Sequence, residues 1–118
     1  MAGNKPFDIC ERTFEFALRV LDITSSLPHG KEAEIARDQL ARAGSSVGAN
    51  TEEAMGAISK KEKKKHLGIA RRESRESRYW LRIINAHWKH QVPVESDIAE
   101  ITEIRNILSA MIRKLEAA

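Results

Sequence analysis

The sequence predicts an all-α protein, an antiparallel up-down four-helix bundle forming a single domain over residues 1–118. Two observations carry this. Apolar residues recur at steps of three and four through four long stretches, the spacing that gathers them on one face of a helix. Short breaks separate the stretches, at Pro28-His29-Gly30, before Ser59 and at Gln91-Val92-Pro93, and short connections make successive helices antiparallel. The helices are expected at about 7–27, 31–58, 60–90 and 94–116. A chain of 118 residues with 42% apolar content is one domain's length and can bury a small core.

The first helix opens near Pro6, whose missing N–H is harmless in a first turn. Asp8, Glu11, Arg12, Glu15, Arg19, Asp22 and Ser26 crowd one arc of it, and apolar residues fill most of the remainder. That apolar face is about twice the ~100° width that a surface helix needs. Cover by a second subunit is therefore expected, with Phe16 and Val20 as contact positions. In the second helix the inward line is Ala33, Ala36, Leu40, Ala43, Val47, Thr51, Ala54 and Ile58. Gly44-Ser45-Ser46-Val47-Gly48 reads as unbroken helix, because the apolar spacing passes through without a slip, and small residues let a neighbouring backbone come close. The segment lacks the Gly-Lys-Ser/Thr ending and the preceding strand of a phosphate-cradling loop.

Ser59-Lys60-Lys61-Glu62 is a capping box that opens the third helix. Its core line is Leu67, Ala70, Ser74, Ser77, Leu81, Ile84 and Trp88, and a separate patch of Ile69, Tyr79, Trp80 and Ile83 lies on another side. Tyr79, Trp80 and Ile83 join Phe16 and Val20 as expected interface residues, since aromatic anchors favour interfaces. In the fourth helix Ile98, Ile101, Ile104, Ile107, Leu108, Met111, Ile112 and Leu115 line one half.

No apolar run approaches the ~20 residues of a membrane span, and Met1 to Phe7 has no apolar core of a secretory signal. Cys10, the one cysteine, excludes an internal disulfide and reads as inert core. A cytoplasmic protein is expected. Net charge is only +3, but residues 60–90 hold eleven Lys and Arg against three Asp and Glu, so one segment is basic and the rest acidic.

The most informative pattern lies in that segment. Arg71, Arg75, Arg78 and Arg82 follow steps of four, three and four, and Lys60, Lys64 and Lys89 fall near the same azimuth. Such a stripe suits successive phosphates of RNA or DNA. The competing expectation is a solvated face, or arginines paired with acids such as Glu52, Glu53, Glu100 or Glu103 on neighbouring helices. Arg42, Ser46, Asn50 and Glu53 border the small-residue stripe and read as a structural polar network. His87 and His90 share a face, but too few partners accompany them for a metal site; no metal and no cofactor is expected. Arg82 and His87 form an Arg-x4-His motif, similar to that of helical-bundle ribonucleases of the higher-eukaryote and prokaryote nucleotide-binding group. The resemblance implies charge stabilisation by Arg82 and proton transfer by His87, although Ile83 stands where a polar residue usually follows the Arg.

Glu11-Arg12-Thr13-Phe14-Glu15-Phe16-Ala17, the run from Gln39 to Asn50 with Glu53-Ala54, and Glu76 with Tyr79-Trp80-Leu81 span nearly the whole chain. Together they resemble the bacterial four-helix-bundle family encoded in intervening sequences of large-subunit ribosomal RNA genes. The resemblance implies an antiparallel bundle assembled as a homopentameric ring, without established enzymatic activity. It also implies kinship with the accessory protein of diversity-generating retroelements, a basic pentameric bundle that works with a reverse transcriptase and its RNA. The Lys60–Lys65 cluster and the long Arg stripe are more basic than the ribosomal-insert members lead one to expect. The leading expectation is a non-enzymatic oligomer that binds nucleic acid, or a nucleic-acid enzyme, through the third helix. A purely structural or adaptor ring and the Arg82/His87 ribonuclease are the alternatives.

Overall fold

The computed structural model describes residues 8–117, which form α1 (Ile9–Ser26), α2 (Lys31–Met55), α3 (Lys60–His87) and α4 (Glu95–Ala117). The bundle is all-α, as the spacing predicts. α1 packs on α2, α2 on α3 and α3 on α4, and α4 returns to α1 along its first half, in a flat body of 47 × 31 × 19 Å. Pro6 and Phe7, expected in the first turn, lie outside the described residues.

Local chemistry sets the helix ends. Asp8 caps α1 by accepting from the Glu11 N–H at 3.1 Å, and Ser59 caps α3 in the same way from Glu62. Between α1 and α2 the chain turns at Gly30, whose φ of +135° favours glycine. Arg37 of α2 donates to the carbonyls of Thr24, Leu27 and Pro28 at the end of α1, where the backbone leaves acceptor capacity and the helix dipole favours a cation.

Each helix contributes a line at steps of three and four to one core: Val20 and Ile23, Leu40 and Val47, Leu67, Leu81 and Ile84, then Ile101, Ile104 and Leu108. The unbroken reading of α2 through Gly44 and Gly48 holds. These glycines set how closely α1 approaches. A Cβ at Gly44 would stand 2.8–3.2 Å from the Val20 side chain, and one at Gly48 3.2 Å from the Thr13 carbonyl oxygen.

Three expectations need correction. Phe16 and Val20 are buried inside the bundle rather than at a subunit surface, because the inward line of α1 is Ile9, Thr13, Phe16, Val20, Ile23 and Leu27. The apolar residues that α1 leaves outside are Phe14, Leu18 and Leu21. α2 stops at Met55, since the chain leaves the helix through Gly56 toward the extended Ser59 cap; Ile58 is therefore 98% exposed instead of inward. α3 ends at His87, where the Trp88 carbonyl accepts from the N–H groups of Gln91 and Val92 and the turn brings Val92 and Val94 into the core. Lys89 thus sits beyond the helix that was expected to carry it.

Two glycine substitutions should move stability in opposite directions. Gly68→Ala, with nothing within 4 Å of its Cβ position, should raise the unfolding midpoint through a gain of up to about 1 kcal/mol. Gly44→Ala should lower it, because Val20 is β-branched and packed; overpacking costs about 1–3 kcal/mol and outweighs the propensity gain. Urea denaturation of both variants checks the pair.

Candidate nucleic-acid interface

Three arginines outside the basic stripe, Arg12, Arg19 and Arg42, engage acids of α3 and α4. Arg12 reaches from α1 to α4 as a fork, donating from Nε to Glu100 Oε2 at 3.1 Å and from Nη2 to Glu100 Oε1 at 2.7 Å, with Glu103 at 2.9 Å. The hydrogen bonds to Glu100 and then Glu103 raise the Arg12 pKa above its ordinary value. Arg19 makes a second fork to Asp97 at 2.9 and 3.2 Å, and that bond raises its pKa as well. Asp97 is buried in the first turn of α4, where free backbone amides favour a carboxylate. On the other side of α3, Arg42 of α2 bonds Glu76 and stands 3.4 Å from the buried Glu73.

The stripe on α3 is left with few counter-ions. Arg75 and Arg82 are exposed and form no ion pair among the described residues. Arg78 is partly buried and donates from Nε to Thr102 Oγ1 at 3.1 Å, a neutral partner. The Nε of Arg71 is buried with no acceptor. Lys60 is exposed at the start of α3, and Lys64 stands 3.3 Å from Glu116 with both side chains half exposed. Among the described residues the stripe forms no ion pair with Glu52, Glu53, Glu100 or Glu103, and Arg12 holds the last two.

Beside the stripe, α3 and α4 enclose an open groove of about 510 Å³. Arg78, Tyr79, Arg82, Ile83 and Asn85 line it from α3 and Ile98 from α4. Tyr79 is exposed and meets Trp80 edge-to-face at 5.6 Å, while Trp80 itself packs on the core. Asn85 is fixed by accepting the Val94 N–H on its Oδ1 at 3.1 Å. Two expected interface residues, Tyr79 and Ile83, therefore occupy the same surface as the arginines.

The remaining candidates disperse. Arg82 lines the α3/α4 groove, and His87 lines an adjoining depression at the bundle end with Trp88, Lys89 and His90, the two sharing Ala86. Among the described residues no three His, Cys, Asp or Glu side chains converge as a metal site would require. Of the polar network, Arg42 and Asn50 bridge to α3, the latter through His66 Nδ1 at 3.3 Å from Asn50 Oδ1. Ser46 bonds only its own helix, at the Arg42 carbonyl, and Glu53 is exposed with no partner among the described residues. Cys10 is partly exposed in a small apolar groove with Phe14, Ala17 and Ala49. Burial first, then Glu52 and Asp8, raise its thiol pKa, so it is protonated and a poor nucleophile at neutral pH.

The model of the 23S rRNA-intervening sequence protein family matches residues 5–114. The chain belongs to that family. A solved family relative is similar throughout: a protein of unknown function from the S23 ribosomal protein family of Bacteroides thetaiotaomicron. It is 30% identical, with a TM-score of 0.78, over 88% of this chain and 97% of that one. Among curated proteins none matches at a significant level.

In this member of the 23S rRNA-intervening sequence protein family, the interhelical forks of Arg12, Arg19 and Arg42 escape sequence reasoning, since their partners lie 31 to 91 residues away. One usable signal was the pair of acids within otherwise core-facing lines, Glu73 beside Ser74 and Asp97 beside Ile98, because a buried carboxylate needs a cation. Arg19→Met should leave Asp97 buried without its partner and lower stability by about 1–3 kcal/mol. Adding Asp97→Asn should recover part of that loss, and a double-mutant cycle by urea denaturation measures the coupling.

Proposed function

We propose that the protein is a non-enzymatic, self-assembling helical bundle that binds nucleic acid through the basic face of α3. One observation carries the reading. Of Lys60, Lys64, Arg71, Arg75, Arg78, Arg82 and Lys89, only Lys64 has an acid partner among the described residues. Uncompensated cations along several helical turns attract a polyanion and release its counterions on binding.

Self-assembly rests on a different surface. Phe14, Leu18 and Leu21 repeat at steps of four and three on α1, and all are about half exposed. Phe14 also lines a groove against α2 that shares no residue with the α3/α4 groove, so copies packed through α1 would leave the basic face open. We propose these residues as the interface in place of Tyr79, Trp80 and Ile83.

Two outcomes are expected. Arg75→Glu combined with Arg82→Glu, both exposed, should weaken binding of a labelled RNA by about 10-fold or more with unchanged helicity; unaffected binding, or none by the wild type, refutes the reading. Light scattering should give a mass several times the 13.3 kDa chain. Leu18→Glu with Leu21→Glu should reduce it to the monomer, and a monomeric wild type contradicts the assembly.

A further inference from the structure

The α3/α4 groove offers more than charge, and its chemistry discriminates between kinds of nucleic acid. We infer that it takes a single-stranded segment, with one unpaired base stacked on Tyr79 between Arg75 and Arg82; this rests on the nucleic-acid reading above.

Tyr79 is the exposed aromatic within the arginine stripe, 56% accessible. Its neighbours on the helix surface, three and four residues away, are Arg75 and Arg82. Those two are separated by seven residues, about 10 Å along the axis, so they stand on either side of the ring. Edge-to-face contact with Trp80, at 81° between rings, restrains the tyrosine before any ligand arrives. Beside the ring the groove of about 510 Å³ has an apolar wall in Ile83 and Ile98. Asn85 completes it: its Oδ1 is held by the Val94 N–H, which leaves its Nδ2 as a donor of known orientation.

An exposed ring flanked by cations, an apolar wall and one oriented amide donor match an unpaired nucleotide in a way that a phosphate-only contact does not require. A duplex hides its base faces in its own stack, so it would use the arginines and leave Tyr79 idle. A flexible strand can turn a base onto the ring while its neighbouring phosphates meet Arg75 and Arg82, the combination that single-strand binders use.

Fluorescence anisotropy with a labelled oligouridine and with a duplex RNA of equal length tests this. Tyr79→Ala should weaken the single strand by about 5- to 100-fold and leave duplex affinity unchanged, and Tyr79→Phe should behave like the wild type. Because Tyr79 is exposed, helicity should not change in either variant. Equal loss for both RNAs, no loss for the single strand, or duplex binding as tight as single-strand binding by the wild type overturns the inference and leaves the basic-face reading standing. Failure of the wild type to bind either RNA removes both.

Discussion

Closing four helices into a bundle places carboxylates from α3 and α4 in the seams, and the arginines that answer them come from α1 and α2. Arg12 and Arg19 tie α1 to the first half of α4, and Arg42 ties α2 to α3. The first two seams join elements far apart in sequence, so they help to specify which helix returns to which. They also decide the electrostatics of the outer surface. Glu100 and Glu103, two of the acids expected to pair with the α3 arginines, are held by Arg12 instead, and Arg75 and Arg82 are left facing solvent. The ion pairs of the fold and the unpaired cations of the candidate site are two sides of one arrangement.

Packing imposes a second constraint. Gly44 and Gly48 let α1 settle against α2 so closely that Val20 and the Thr13 backbone meet their Cα positions. With Phe16 and Val20 taken into the core by that approach, the excess apolar width of α1 turns outward as Phe14, Leu18 and Leu21. A half-exposed aromatic and two leucines on one helix face form the kind of surface that a partner covers. None of the three lines the α3/α4 groove.

The fold was legible because it rests on local information. Spacing of apolar residues located all four helices and nearly every core position, and Ser59 and Pro28-His29-Gly30 marked ends where backbone chemistry demands them. The misplaced ends, at Ile58 and at Trp88 to His90, are positions where periodicity continues but a turn already has to deliver the next element. Phe16 and Val20 were misread as interface because an apolar arc twice the usual width does not say which half faces inward. The arginine stripe was legible as a pattern, yet its want of partners was not. Whether Glu100 meets α3 or α1 depends on the rotation of α4, which the buried line of Ile101, Ile104 and Leu108 sets only once all four helices are packed. Asn85 and Tyr79 gained meaning in the same way, when α4 supplied the other wall of the groove.

The central claim is that a face stripped of its counter-ions by the bundle's own seams binds a polyanion. Its most direct test is the slope of log affinity against log salt for an RNA oligonucleotide. Four arginines engaging phosphates of a single strand should give a slope of about −3. A slope near zero, with binding persisting at high salt, would contradict the account.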